Sequence, residues 1–192
     1  MELDLRAKKI AGLIEIAPKP LTDHRGTLVR LYDLDVFKKL KIRRSIVLVQ
    51  ESLFYTARKN TIRGLHFSLP PLQESKVITA LRGLTQWVSV DLRKASPTFG
   101  LWDSTILDGK IHNSLVADAG FAHGCLSLTD HCELLIKTDR SFEDINSAGI
   151  IWNDKTLGID WQLTSPLNLI ISEEHQKLGT FEEFSEKYLE EL

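Results

Sequence analysis

The chain has 192 residues, 43% of them hydrophobic and 26% charged, and carries a net charge of −2. This length supports one domain with a sizeable core, and this composition excludes a disordered or fibrous chain. The near-neutral charge leaves no broad basic field for nucleic acid, and no apolar run reaches the ~18–20 residues of a membrane span.

Residues 1–9 are charged and lack an apolar signal core, so a cytoplasmic setting is expected. Strand-like runs follow at 13–17 and 27–32, then a short helix at 33–40, then strands at 45–51, 77–81, 85–92, 101–107, 124–128 and 133–138. Val88-Ser89-Val90-Asp91 alternates apolar and polar side chains, the period of a strand with one face buried. Cys125 and Cys132 are too few for a disulfide framework and are not spaced as a CxxC motif; they read as buried thiols in a reducing compartment. A second helix is expected at about 180–191. There Thr180 and Glu183 have capping-box spacing, and Phe181, Phe184, Tyr188 and Leu189 fall on one face. Many short strands between Gly, Pro, Asn and Asp residues predict an all-β sandwich or barrel. With no repeat, low-complexity tract or linker, residues 1–192 are expected to form a single domain.

Three segments carry candidate chemistry. In Ile62-Arg63-Gly64-Leu65-His66-Phe67, a regular strand points Gly64, His66 and Ser68 one way and Leu65 and Phe67 the other. An Arg at the start of a strand that aims a His inward suits a site wall. On these residues alone, a satisfied core His with a surface Arg is the simpler reading. In Gly120-Phe121-Ala122-His123-Gly124, glycines flank an aromatic residue and a His, a pattern of tight backbone beside a working side chain. Val90-Asp91-Leu92-Arg93 with Ser96-Pro97-Thr98-Phe99-Gly100 reads as a strand leaving into a turn, and as structural.

Taken together and in order, these segments resemble the signature of the dTDP-4-dehydrorhamnose 3,5-epimerase family. Asp23-His24-Arg25-Gly26, Trp152-Asn153-Asp154 and Gly158-Ile159-Asp160-Trp161 extend the resemblance over roughly residues 12–175. The resemblance implies a cupin-type jelly roll, usually a homodimer, that needs no metal or organic cofactor. It implies a nucleotide-linked 4-keto-6-deoxy sugar as substrate, inverted at C3 and C5 for deoxysugar and polysaccharide synthesis. Protons beside the ketone are acidic because the carbanion delocalises onto oxygen, so the reaction needs a base, a cation or donor at the enolate oxygen, and an acid. By the resemblance His66 is the base and Lys76 the enolate-stabilising cation. Arg25, Arg63 and His123 line the nucleotide-sugar site, and Gln50 is a polar contact in it.

The chain also departs from the family pattern. Ile136 stands where the family carries its acid tyrosine, and Phe142 where it has a second one. His175, in Ile171-Ser172-Glu173-Glu174-His175, falls near the Asp that partners the base; Glu173 and Glu174 are substitutes within a residue or two. Trp87 replaces an Asp, Arg30 a Glu, Ser52 an Asn and Ser68 a Gln. An Ile cannot donate a proton. Epimerisation at C3, C5 or both is therefore set against three alternatives. The first is a non-catalytic sugar-nucleotide binder, and the second is a 3,4-ketoisomerase with His131 or His175 as its movable His. The third is a metal cupin built on His66, Glu74 and His123, disfavoured because Ser68 breaks the usual His-x-His and Lys76 repels a cation.

Overall fold

Residues 3–40, 47–142 and 146–188 are described in a computed structural model. Its strands are β1 Leu3–Ala7, β2 Leu13–Pro18, β3 Leu21–Asp23, β4 Gly26–Leu28, β5 Gln50–Thr56, β6 Ile62–Ser68 and β7 Lys76–Arg82. They continue with β8 Leu84–Asp91, β9 Trp102–Asp108, β10 Ser114–Ala117, β11 Phe121–Ser127, β12 Cys132–Thr138 and β13 Ser147–Gly149. Two sheets result: a six-stranded one in the order β1-β2-β10-β7-β12-β5, and a five-stranded one in the order β13-β6-β11-β8-β9. This is an all-β cupin-type jelly roll. The hairpin β3–β4 stands apart from both sheets.

Alternation along each strand sorts the side chains into three apolar layers. Leu13, Ile78, Ala80, Leu115 and Leu134 of the larger sheet meet Trp87, Leu107, Phe121 and Cys125 of the smaller one. On the outer face of the larger sheet, Ile14, Ile16, Val77 and Val116 are covered by Phe37 and Leu40. On the outer face of the smaller sheet, Ile62, Leu65, Phe67, Val88, Val90 and Leu126 are covered by Ile150, Leu157, Trp161, Phe181 and Phe184.

The region after β12 thus wraps the back of the smaller sheet, which matters for the site. Asp154 anchors it: its carboxylate accepts from the backbone N–H groups of Thr156, Leu157 and Phe181. The last ties it to helix α2, Phe181–Tyr188. That helix opens on the expected capping box, with Thr180 N–H donating to Glu183 and Glu183 N–H donating to Thr180 Oγ1. The expected continuation to 191, and Leu189 with it, lies outside the described residues. Asp91, wholly buried, accepts from Arg93, Ser96 and Thr98 and ties down the turn after β8. Burial opposes its charge, yet these donors hold its carboxyl below the usual range.

Several expected elements shift. The first helix, α1, spans only Leu34–Phe37 behind an Asp33 N-cap, and the strand expected at 27–32 stops at Leu28. The strand expected at 45–51 starts at Gln50 and runs to Thr56, and 45–46 lie outside the described residues. Strands β1, β3, β10 and β13 carried too few alternating apolar residues to stand out.

Candidate active site

The site begins with a bulge. In a regular strand Arg63 and His66 would face opposite ways. Here Cys125 pairs with Arg63 and His123 with His66, so Gly64 and Leu65 of β6 lie opposite the single Gly124 of β11. Ile62 and Leu65 both enter the outer core, while Arg63 and His66 both face inward. Gly64 makes this possible at φ +98°, where its backbone lies against His123 and Gly124. A Cβ there would run into the His123 carbonyl.

The registers line up two polar rows. Across the smaller sheet run His66, His123, Ser89 and Asp103. Across the larger sheet run Lys76, Thr138 and Gln50, with Ile78, Ile136 and Ser52 one row deeper. Both sets belong to inner faces, so two imidazoles oppose an ammonium across the mouth of the sandwich.

His66 has a partner from far along the chain. Its Nε2 lies 2.8 Å from Nε2 of His175, with the rings nearly edge to face. The segment wrapping the outer core passes the edge of β6 and presents His175 from a short 3-10 turn, His175–Lys177. His66 is open to water yet crowded by protein, as on the wall of an open cleft. Burial lowers its pKa first, then the His175 ring; Glu174 opposes this and Lys76 adds to it. Of the substitutes expected at 173–175, only His175 reaches the ring. Glu173 and Glu174 are exposed, and Glu174 acts through its charge alone.

Lys76 is 18% exposed and donates to Glu74 at 2.5 Å; Ser68 donates to the same oxygen at 3.3 Å. Glu74 is thereby committed to Lys76, and among the described residues no three His, Cys, Asp or Glu side chains are grouped to hold a metal ion. His123 is buried at 5% exposure. Its Nδ1 accepts from Trp87 Nε1 at 3.2 Å and lies 3.1 Å from Ser89 Oγ. Burial, then the charge of Lys76, pushes its pKa well below the ordinary value.

The other predicted residues are more dispersed. Arg63 lies over the Phe54 ring, 4.7 Å from its centroid, and donates to the Tyr55 carbonyl. Gln50 accepts from the Phe142 N–H at 2.9 Å, and Phe142 is exposed. Arg25 is not brought to this cleft. It sits on the separate β3–β4 hairpin, 79% exposed and paired with Asp23 at 2.6 Å. Arg30 pairs with Asp33. His131 bonds the Tyr55 hydroxyl at an exposed position, beyond the far ends of β6 and β11 from Ser68 and Phe121. Ile136 is partly buried and packs into the inner core with Trp87. The sequence alone read Trp87 only as a departure; its N–H partnership with His123 depends on the pairing of β8 with β11.

A jelly roll whose inner faces oppose histidines and a lysine is the architecture of a cupin-type carbohydrate isomerase, built to move protons beside a carbonyl. Residues 7–183 match the family described as dTDP-4-dehydrorhamnose 3,5-epimerase. The enzyme of that name from Shigella flexneri is 33% identical over 159 residues, 83% of this chain and 87% of that one. A dTDP-4-dehydrorhamnose 3-epimerase from Streptomyces niveus is 33% identical over 85% of this chain and 78% of its own. The structure of the Bacillus anthracis 3,5-epimerase, with TDP and PPi bound, superposes with a TM-score of 0.84. It is 34% identical, and the match covers 93% of this chain and 99% of that one. The chain belongs to the dTDP-4-dehydrorhamnose 3,5-epimerase family. No described helix is long and apolar enough to cross a membrane.

Proposed function

We propose that this chain epimerises a nucleotide-linked 4-keto-6-deoxy sugar in carbohydrate biosynthesis, with His66 as the base and Lys76 as the cation at the enolate oxygen. The observation that carries this is the opposition of the two side chains across the sandwich, with His66 steered by His175. Proton removal leaves a carbanion conjugated to the C4 ketone, and its charge gathers on oxygen, where an ammonium stabilises it most. The depressed pKa of His66 keeps its ring unprotonated, hence competent, at neutral pH. Arg63, His123 and Gln50 bind the nucleotide sugar in this reading, with Arg63 offering a planar fork of donors to the diphosphate.

Inversion also requires a proton delivered to the opposite face of the carbanion. Ile136 has none to give, and positioned proton transfer is worth about 10²–10⁴-fold. Exchange with retention, or inversion at one carbon, therefore exceeds inversion at both C3 and C5.

A homodimer completes the proposal. Leu21 and Leu28 on the free hairpin and Leu53 on the edge strand β5 are about three-fifths exposed. Such surfaces favour pairing with a second copy. The hairpin also carries Arg25 away from its own cleft, toward whatever packs beside it.

The test is deuterium wash-in from heavy water into a dTDP-4-keto-6-deoxyhexose, read by NMR. Incorporation beside the ketone should be abolished in His66→Ala and reduced at least tenfold in Lys76→Ala. Binding of the sugar nucleotide with no exchange above the His66→Ala background would leave a non-catalytic binder, the reading that Ile136 favours.

A further inference from the structure

The His123 ring is the one imidazole of the cleft whose hydrogen-bond roles the fold dictates. An indole N–H can only donate. Because Trp87 Nε1 donates to Nδ1, that nitrogen must present its lone pair, and a neutral ring then carries its hydrogen on Nε2. A cation there would set an Nδ1–H against the indole N–H, head to head. It would also sit buried with no uncommitted carboxylate beside it among the described residues. From β6 the ring faces His66, from β7 Lys76, from β8 Trp87 and Ser89, and along its own strand Cys125. The carboxylates at the margins are committed elsewhere: Glu74 to Lys76, Asp91 to Arg93, Asp103 to Lys8. The other ring nitrogen, Nε2, is buried and meets no partner among the described residues. A buried donor without an acceptor is rare in a folded protein, and here it belongs to a side chain on the wall of the cleft.

We propose that Trp87 locks His123 in the neutral Nε2–H form, making it an uncharged hydrogen-bond donor to the ligand oxygen that Lys76 also approaches. The proposal rests on the reading of the cleft given above and assigns that oxygen to the C4 carbonyl. A ketone held between an ammonium and a fixed N–H is polarised by both, and both bonds strengthen as negative charge develops on oxygen. Neutrality is the useful part. A neutral imidazole is a very weak acid, so it favours hydrogen bonding to the enolate oxygen over full protonation of it; triosephosphate isomerase likewise polarises its carbonyl with a neutral histidine. Trp87 is a positioning residue here, and His123 is the group that meets the ligand.

Long-range proton–nitrogen NMR on the full chain reads the ring state directly, before any ligand is added. Across about pH 5.5 to 8, a range that brackets ordinary imidazole titration, His123 should show a pyridine-like Nδ1 and a pyrrole-like Nε2 that do not titrate. Trp87→Phe keeps an aromatic ring but removes the donor, and both tautomers should then appear. Trp87→Asp should reverse the tautomer, by accepting Nδ1–H, and make the ring titrate at higher pH. Addition of a dTDP-4-keto-6-deoxyhexose to the unmodified protein should shift the Nε2–H proton downfield. An Nδ1–H ring in the unmodified protein, or a tautomer unchanged in Trp87→Phe, overturns the lock. An Nε2–H signal unmoved while the sugar's own resonances show it bound overturns the donor role. Failure of any sugar nucleotide to bind would instead overturn the reading of the cleft, and with it the ligand half of this proposal, because the tautomer is read in the free protein.

Discussion

Replacing His175 by glutamate puts a negative charge where an imidazole now meets the proposed base. A glutamate oxygen lies the same number of bonds beyond Cβ as the histidine Nε2. The carboxylate can therefore occupy the position 2.8 Å from His66 Nε2 without moving the backbone of its turn. An opposite charge in contact with an ionisable group typically raises its pKa by about 1–3 units, or about 1.4–4 kcal/mol of added stabilisation of the imidazolium. In the unmodified chain burial, His175 and Lys76 all act the other way and hold the His66 pKa below its ordinary value. The acidic limb of kcat/KM for deuterium wash-in should therefore lie below the usual imidazole range. In His175→Glu it should move up by about 1–3 pH units, because the ring must lose its proton before it can act. His175→Gln has the same reach without the charge and should move the limb far less. The assay is a pH series of exchange rates at subsaturating sugar nucleotide. Coincident limbs in the glutamate variant and the unmodified protein, or equal shifts with glutamate and glutamine, would refute the dyad argument.

Two further outcomes follow from the same geometry. His123 is neutral when folded but free to protonate when unfolded, so its contribution to stability is complete above the unfolded pKa of about 6.5 and is lost as pH falls toward the much lower folded value. Urea denaturation should show stability falling between about pH 6.5 and 5 by up to ~1.4 kcal/mol per pH unit from this group, and His123→Gln should flatten that slope. Light scattering at micromolar protein should give the mass of two 21.8 kDa chains; a monomeric mass would end the dimer proposal and leave Arg25 without a cleft to serve.

The inward turn of His66 and the existence of a sandwich could be read from alternation, because period-two patterning follows directly from strand geometry. The capping box at Thr180 was legible for a similar reason, since both partners lie within one turn of chain. Arg63 was not legible as a neighbour of His66. Their shared face comes from a bulge whose position is set by how β6 registers on β11, and a single strand's pattern does not encode its partner's register. His175 was legible as a substitution but not as a contact, since 109 residues separate it from His66 and the wrapping of the outer core closes the distance. The strand expected at 45–51 includes Val47 and Val49, which are exposed. Apolar residues on a surface open to pairing give the same pattern as a buried strand.

The departures from the family pattern fall into two kinds. By the resemblance, His175 stands for the carboxylate partner of the base and Trp87 for an Asp; here the first contacts His66 and the second His123. Each exchange puts, in place of a carboxylate, a side chain that makes a hydrogen bond to an imidazole. Ile136, which by the resemblance stands for a proton-donating tyrosine, is different in kind, since it has no polar side-chain atom and packs against the inner core. In the proposed reading, the first two changes retune proton removal, weakening the base and fixing the donor opposite Lys76. In that reading, the third removes the means of returning a proton across the sugar. Selection for mere binding would leave the imidazole contacts free to drift. Two hydrogen bonds to histidines, from His175 and Trp87, beside the Lys76–Glu74 pair, are what the proposed one-sided proton transfer requires. The deuterium experiment separates these cases, because exchange depends on the retained half of the chemistry and double inversion on the half that Ile136 lacks.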